Sequence, residues 1–112
     1  MAKAQPVDRT DFIDRASHML ERLERGLGGL EHDALDVQLS ADVLTLSFDD
    51  GARFVINAHS AAGQIWMAAD RTAWHFDYVA ERDAWVAAKT GDELVGTIER
   101  VVSARLGAAV RL

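Results

Sequence analysis

The sequence predicts an α+β fold, a two-layer sandwich in which N- and C-terminal helices pack on one face of an antiparallel sheet of about six strands. Two observations carry this. Apolar residues recur at helical spacing only near the two ends of the chain, and between them they alternate with polar residues in short runs separated by turn signals. A third bounds the answer: 112 residues, 49% of them hydrophobic, suffice for one core, so residues 1–112 form a single domain.

The first helix is expected from Asp8 to about Arg25. Phe12, Ala16, Met19, Leu20, Leu23 and Leu27 fall in one stripe on a helical wheel. Pro6 and the Asp8 carboxylate suit its N-terminal cap, and Gly26, Gly28 and Gly29 supply its stop. Leu35, Val37 and Leu39 then alternate with Asp36 and Gln38, and Leu44, Leu46 and Phe48 with Thr45 and Ser47, giving two half-buried strands. Asp49-Asp50-Gly51 is a hairpin turn into a third strand holding Phe54 and Ile56. Gln64 to Ala68, Ala73 to Tyr78 and Ala84 to Ala87 complete an antiparallel meander. Thr90-Gly91-Asp92-Glu93 has the pattern of a capping box, and Leu94, Val95, Ile98, Val101, Val102 and Leu106 follow as a second amphipathic helix. Two helices and one sheet, each with a single apolar face, bury those faces most simply against each other.

Composition removes several function classes. Without cysteine there is no disulfide, thiolate nucleophile, zinc-thiolate site or cysteine-held cluster. No stretch is apolar enough to span a membrane, and the first residues lack a secretion signal, so a cytoplasmic protein is expected. A net charge of −6 repels phosphate backbones and anionic lipid, which argues against nucleic acid or membrane as partner. That charge is unevenly placed. Up to residue 50 there are eleven acids against five bases, and beyond it seven against seven. Such a local field attracts cations or basic proteins, although a solvated helix face has the same composition.

Familiar catalytic patterns are missing. The chain has no Glu-x-x-His tetrad, Gly-x-Ser-x-Gly, His-Glu-x-x-His or Walker loop, and its four histidines (His18, His32, His59 and His75) lack the paired spacing of a tight metal site. Each reads as solvent-facing or structural.

Val43-Leu44-Thr45-Leu46-Ser47-Phe48-Asp49-Asp50-Gly51, Asn57, then Gln64-Ile65-Trp66-Met67-Ala68 and Trp74-His75-Phe76-Asp77 resemble the frataxin family in its bacterial form. The likeness spans almost the whole chain. It implies a role in iron–sulfur cluster assembly as a regulator or adaptor that binds ferrous or ferric iron weakly and exchangeably on an acidic ridge. The implied partners are the cysteine desulfurase and the iron–sulfur scaffold protein, with the chain a monomer. No catalytic residue is implied, although weak ferroxidase activity is carried by some frataxins. Two departures stand out: Ala61-Ala62-Gly63 replaces the family's usual proline before the Gln-Ile-Trp block, and Gly26, Gly28 and Gly29 replace extra carboxylates at the end of the first helix, which thins the ridge.

Carried onto this chain, the ridge comprises Asp8, Asp11, Asp14, Glu21, Glu24, Glu31, Asp33 and Asp36. On the wheel Asp14 and Glu21 lie about 20° apart with Glu24 about 60° further round, away from Phe12 and Leu23. Exposed carboxylates are hard oxygen donors and, without histidine or thiolate, hold iron loosely. Arginines on the same helix offer the acids ordinary pairs instead, such as Glu21 with Arg25. Strand parity gives a second surface. If Ile65 and Met67 face the helices, Trp66 points outward beside Gln64, Asn57 and Arg53, a partner-binding set anchored by an indole. Trp74 shares parity with Phe76 and Tyr78 and is expected in the core, while parity leaves Trp85 open. The competing reading is a protein-interaction module of the same machinery whose acidic edge meets a basic patch and whose metal binding is incidental.

Overall fold

The computed structural model describes residues 9–112, so the expected cap of Pro6 and Asp8, and Asp8 as a ligand, lie outside the described residues. Helix α1 runs Arg9–Gly28 and buries Phe12, Ala16, Leu20, Leu23 and Leu27, the predicted stripe. It does not stop at Gly26. Leu27 belongs to the buried stripe, and seating it offsets the cost of about 1 kcal/mol that each helical glycine carries. The N–H of Gly29 still donates to the Arg25 carbonyl at 2.9 Å, and the chain then turns through Glu31 at φ 48°. Gly26 has another use: a Cβ there would stand 3.0 Å from Cδ2 of Leu112, so its bare backbone makes room for the end of the chain.

Six strands follow: β1 Leu35–Ser40, β2 Val43–Phe48, β3 Arg53–His59, β4 Gln64–Ala69, β5 Thr72–Val79 and β6 Ala84–Ala87. They form one antiparallel sheet in sequence order, the expected meander, with β1 and β6 at its edges. The β2–β3 turn places Gly51 at φ 93°, and the Ala52 N–H donates to the Asp50 carboxylate at 2.9 Å. Leu44, Leu46, Phe54, Ile56, Ile65, Met67, Trp74 and Phe76 face the helices and are buried, as alternation requires. Trp85 joins them, its ring edge-on to Phe12 at 5.9 Å.

Helix α2, Leu94–Leu106, packs against β6. The expected capping box does not form. Glu93 itself occupies the cap position with no side-chain cap bond, and its carboxylate accepts from Arg82 at 2.9 Å. The Thr90 hydroxyl donates instead to Asp92 at 2.8 Å, because that carboxylate is two residues away and is already fixed by the indole N–H of Trp74 at 3.2 Å. After α2, Val110 is buried and the N–H of Leu112 donates to Glu99 at 2.7 Å, tying the end of the chain to the helix layer. No helix among the described residues is long and apolar enough to cross a membrane.

Candidate functional site

The face of the sheet turned away from the helices is the first candidate surface. Cross-strand register brings Val43, Asn57, Trp66 and His75 into one row, and His59, Gln64 and Asp77 into the next. Trp66 thus projects outward beside Asn57 and Gln64, as parity predicts, and is half-buried rather than fully exposed. The reason is a pair of imidazoles. His59 stacks on one side of the indole at 3.8 Å between ring centres and His75 stacks at 4.4 Å, with planes only 17° and 15° from parallel.

Hydrogen bonds orient this stack. The indole Nε1 donates to Gln64 Oε1 at 2.8 Å, and Gln64 Nε2 donates to Asp77 Oδ1 at 3.1 Å. His59 Nδ1 accepts from the Ala62 N–H at 3.2 Å, so the Ala61-Ala62-Gly63 loop is tied to the stack through its backbone. A shallow hollow of about 140 Å³ beside the indole is lined by Val55, Asn57, Trp66, Ala68, Ala73 and His75. Arg53 lies outside this group. It shares the face but sits four residues from Asn57 on β3, roughly 13 Å along the strand.

His59, His75 and Asp77 are the members that sequence spacing missed. They are sixteen and two residues apart in the chain, and only the β3–β4–β5 register brings them around Trp66. The available signal was parity: His59, Asn57, Trp66, Gln64, His75 and Asp77 all occupy outward positions of three consecutive strands.

The second surface is the acidic edge. Asp14, Glu21, Glu31, Asp33 and Asp36 are exposed and Glu24 is partly covered. β1 is an edge strand and α1 packs on it, which sets Glu31 and Asp33 in the connection between them. Asp36 points to the face away from the helices, so the acids turn a corner rather than line one flat ridge. Among the described residues no three carboxylates or histidines come together as a metal cage. Asp11 pairs with Arg15 at 3.0 Å, whereas the expected Glu21–Arg25 pair is not made. Arg15 also donates to the Tyr78 hydroxyl at 2.8 Å, which donates in turn to Asp83 at 2.6 Å. That bond to Asp83, then burial, raises the Tyr78 phenol above its usual pKa. This cluster ties α1 to the sheet, and the exposed acids beyond it remain as spread, hard oxygen donors.

Two terminal helices over one face of a six-stranded antiparallel meander, with an acidic edge and an aromatic outer face, define a frataxin-like sandwich. The Frataxin-like domain model matches residues 5–108, and the chain belongs to the frataxin family in its bacterial CyaY branch. It is 43% identical over 104 residues, 90% of this chain and 95% of the relative, to the iron-sulfur cluster assembly protein CyaY of Thioalkalivibrio sulfidiphilus. Among solved structures, the frataxin of Psychromonas ingrahamii superposes with a TM-score of 0.84 at 21% identity, covering 93% of this chain and 96% of that one. Trimeric frataxin from the yeast Saccharomyces cerevisiae, complexed with ferrous, superposes with a TM-score of 0.66 at 27% identity, covering 96% and 93%.

Proposed function

We propose that this chain is an iron-binding regulator or adaptor of iron–sulfur cluster assembly that docks on the cysteine desulfurase complex. The observation that carries the reading is the near-complete match to a relative named iron-sulfur cluster assembly protein CyaY, on a fold whose two distinctive surfaces are an acidic edge and an aromatic outer face. Iron enters as exchangeable cargo. Asp11, Asp14, Glu21, Glu24, Glu31, Asp33 and Asp36 supply oxygen donors, with Asp8 preceding them, and their spread over a helix, a connection and a strand suits loose, hydrated binding rather than a resident centre. The yeast relative complexed with ferrous supports iron as the ion. Asn57, Gln64 and Trp66 form the heart of the partner surface, with Arg53 at its margin and the scaffold protein as a second partner.

The fold supplies rigidity for both tasks. Trp66 stands on a central strand paired on both sides, so a partner meets an anchor whose backbone does not have to be ordered first. The acids give a long-range field that steers a basic surface toward it. The reading assigns no catalytic residue. Anaerobic calorimetric titration with ferrous iron, with and without the desulfurase, tests it. Weak iron binding that shifts desulfurase affinity is expected, whereas docking that is identical with and without saturating iron would leave the interaction module with incidental metal binding as the correct reading.

A further inference from the structure

We infer that Asp77 is a positioning residue of the docking face: acting through Gln64, it fixes which edge of the Trp66 indole is offered to a partner. The inference rests on the proposed reading of that face as a docking surface. Asp77 stands directly opposite Gln64 across β4 and β5, and among the described residues it makes no ion pair that would compete for its carboxylate. An ionised carboxylate can only accept and an indole N–H can only donate, so both ends of the Asp77–Gln64–Trp66 chain have a fixed polarity. The amide between them is the one group with a choice. With Nε2 3.1 Å from Asp77 Oδ1, its Oε1 is left for the indole, which it meets at 2.8 Å.

The two imidazoles do a different job. Stacking at 3.8 and 4.4 Å fixes the plane of the indole, but a ring turned over within that plane keeps both stacked faces. The hydrogen-bonded chain removes this two-fold freedom. Asp77 thereby acts on a side chain eleven residues earlier without touching it, and its own sequence setting, an outward acid on an alternating strand, marks no such role.

The test exploits polarity. Gln64→Glu sets two acceptor-only carboxylates against each other, so the new side chain swings away and the indole N–H loses its partner. Adding Asp77→Asn restores a donor, and the chain can close again with the carboxylate now in the middle. Adding Asp77→Ala restores the same net charge without a donor. The readouts are the Trp66 indole N–H resonance, assigned by its loss in Trp66→Phe, and affinity for the cysteine desulfurase. Gln64→Glu should move the resonance and weaken docking about tenfold, the double change Gln64→Glu/Asp77→Asn should restore both, and Gln64→Glu/Asp77→Ala should restore them only in part, because the opposing charge is gone but nothing tethers the new carboxylate. Equal rescue by both double variants would reduce the effect to net charge and overturn the inference. So would an unchanged resonance and affinity in Asp77→Ala alone. If instead Trp66→Ala docks like wild type, the docking-face reading fails and the inferred role in docking falls with it, while the indole resonance separately reports whether the hydrogen-bonded chain exists.

Discussion

Arg105, in the last turn of α2, donates to the carboxylate of Asp50 at 2.8 Å, joining the helix layer to the β2–β3 turn. Its other amino group donates to Asp70 in the β4–β5 turn, so one guanidinium holds two hairpin ends. The Ala52 N–H and then Arg105 hold the Asp50 carboxyl below the usual carboxylate range. A carboxyl depressed in the folded state contributes stability that is present above its unfolded pKa and is lost as pH falls through the folded one. Asp50→Asn should therefore lower stability at neutral pH, where the ionised carboxylate holds Arg105, and flatten the acid limb so that the two proteins converge as pH falls below the ordinary carboxylate range. Thermal melts of the two proteins between neutral pH and about pH 3 check this, and parallel curves would count against it.

Trp66→Ala should leave the fold intact and weaken desulfurase docking by about 2 kcal/mol or more, as loss of a central anchor does. The indole is half-buried among outer-face neighbours, His59 and His75 stacked on it and Gln64 bonded to its N–H, whereas Phe76 is wholly buried against the helices. Phe76→Ala should cost about 3–5 kcal/mol of stability. Comparable melting losses in the two variants would show that the stack is a stability element rather than a docking one.

The fold was legible because its apolar periodicities are clean: every residue of the α1 stripe from Phe12 to Leu27 except Met19 is fully buried, and β2, β3 and β4 alternate as read. Two local details were not legible, for the same physical reason. Packing of Leu27 carried α1 through Gly26, and the indole of Trp74 drew Asp92 into a network that displaced the Thr90–Glu93 box. Long-range contacts decided both. Trp66 was placed on the outer face by parity, but its histidine neighbours needed the register of three strands, which spacing along the chain does not contain.

Gly96 lies in the first turn of α2, exposed, with nothing within 4 Å of a Cβ built on it. Gly96→Ala should stabilise the protein by about 0.5–1 kcal/mol, since alanine restricts the unfolded chain and meets no obstacle in the folded one. At Gly26 the same change presses on Leu112, so its gain should be smaller or absent. Denaturant titration of both variants measures the difference, and equal gains would mean that Leu112 yields without cost.

The acids of the edge separate the two readings of function. Glu24, Asp33 and Asp36 make no ion pair among the described residues, so neutralising them breaks no salt bridge and lowers the net negative charge of the chain. Replacing all three by their amides should leave stability level or slightly raised, because only like-charge repulsion is removed. Docking should weaken and lose part of its salt dependence, since fewer charges remain to meet a basic partner surface. Iron then discriminates. If bound iron neutralises this edge, saturating ferrous iron changes desulfurase affinity for the wild type and has little effect on the amide variant, because affinity for the ion and for the partner are linked through the same carboxylates. An equal response to iron in both proteins would place the ion elsewhere and remove these three acids from the ridge. Loss of docking without any response to iron in the wild type would keep the edge as a charged contact surface and nothing more.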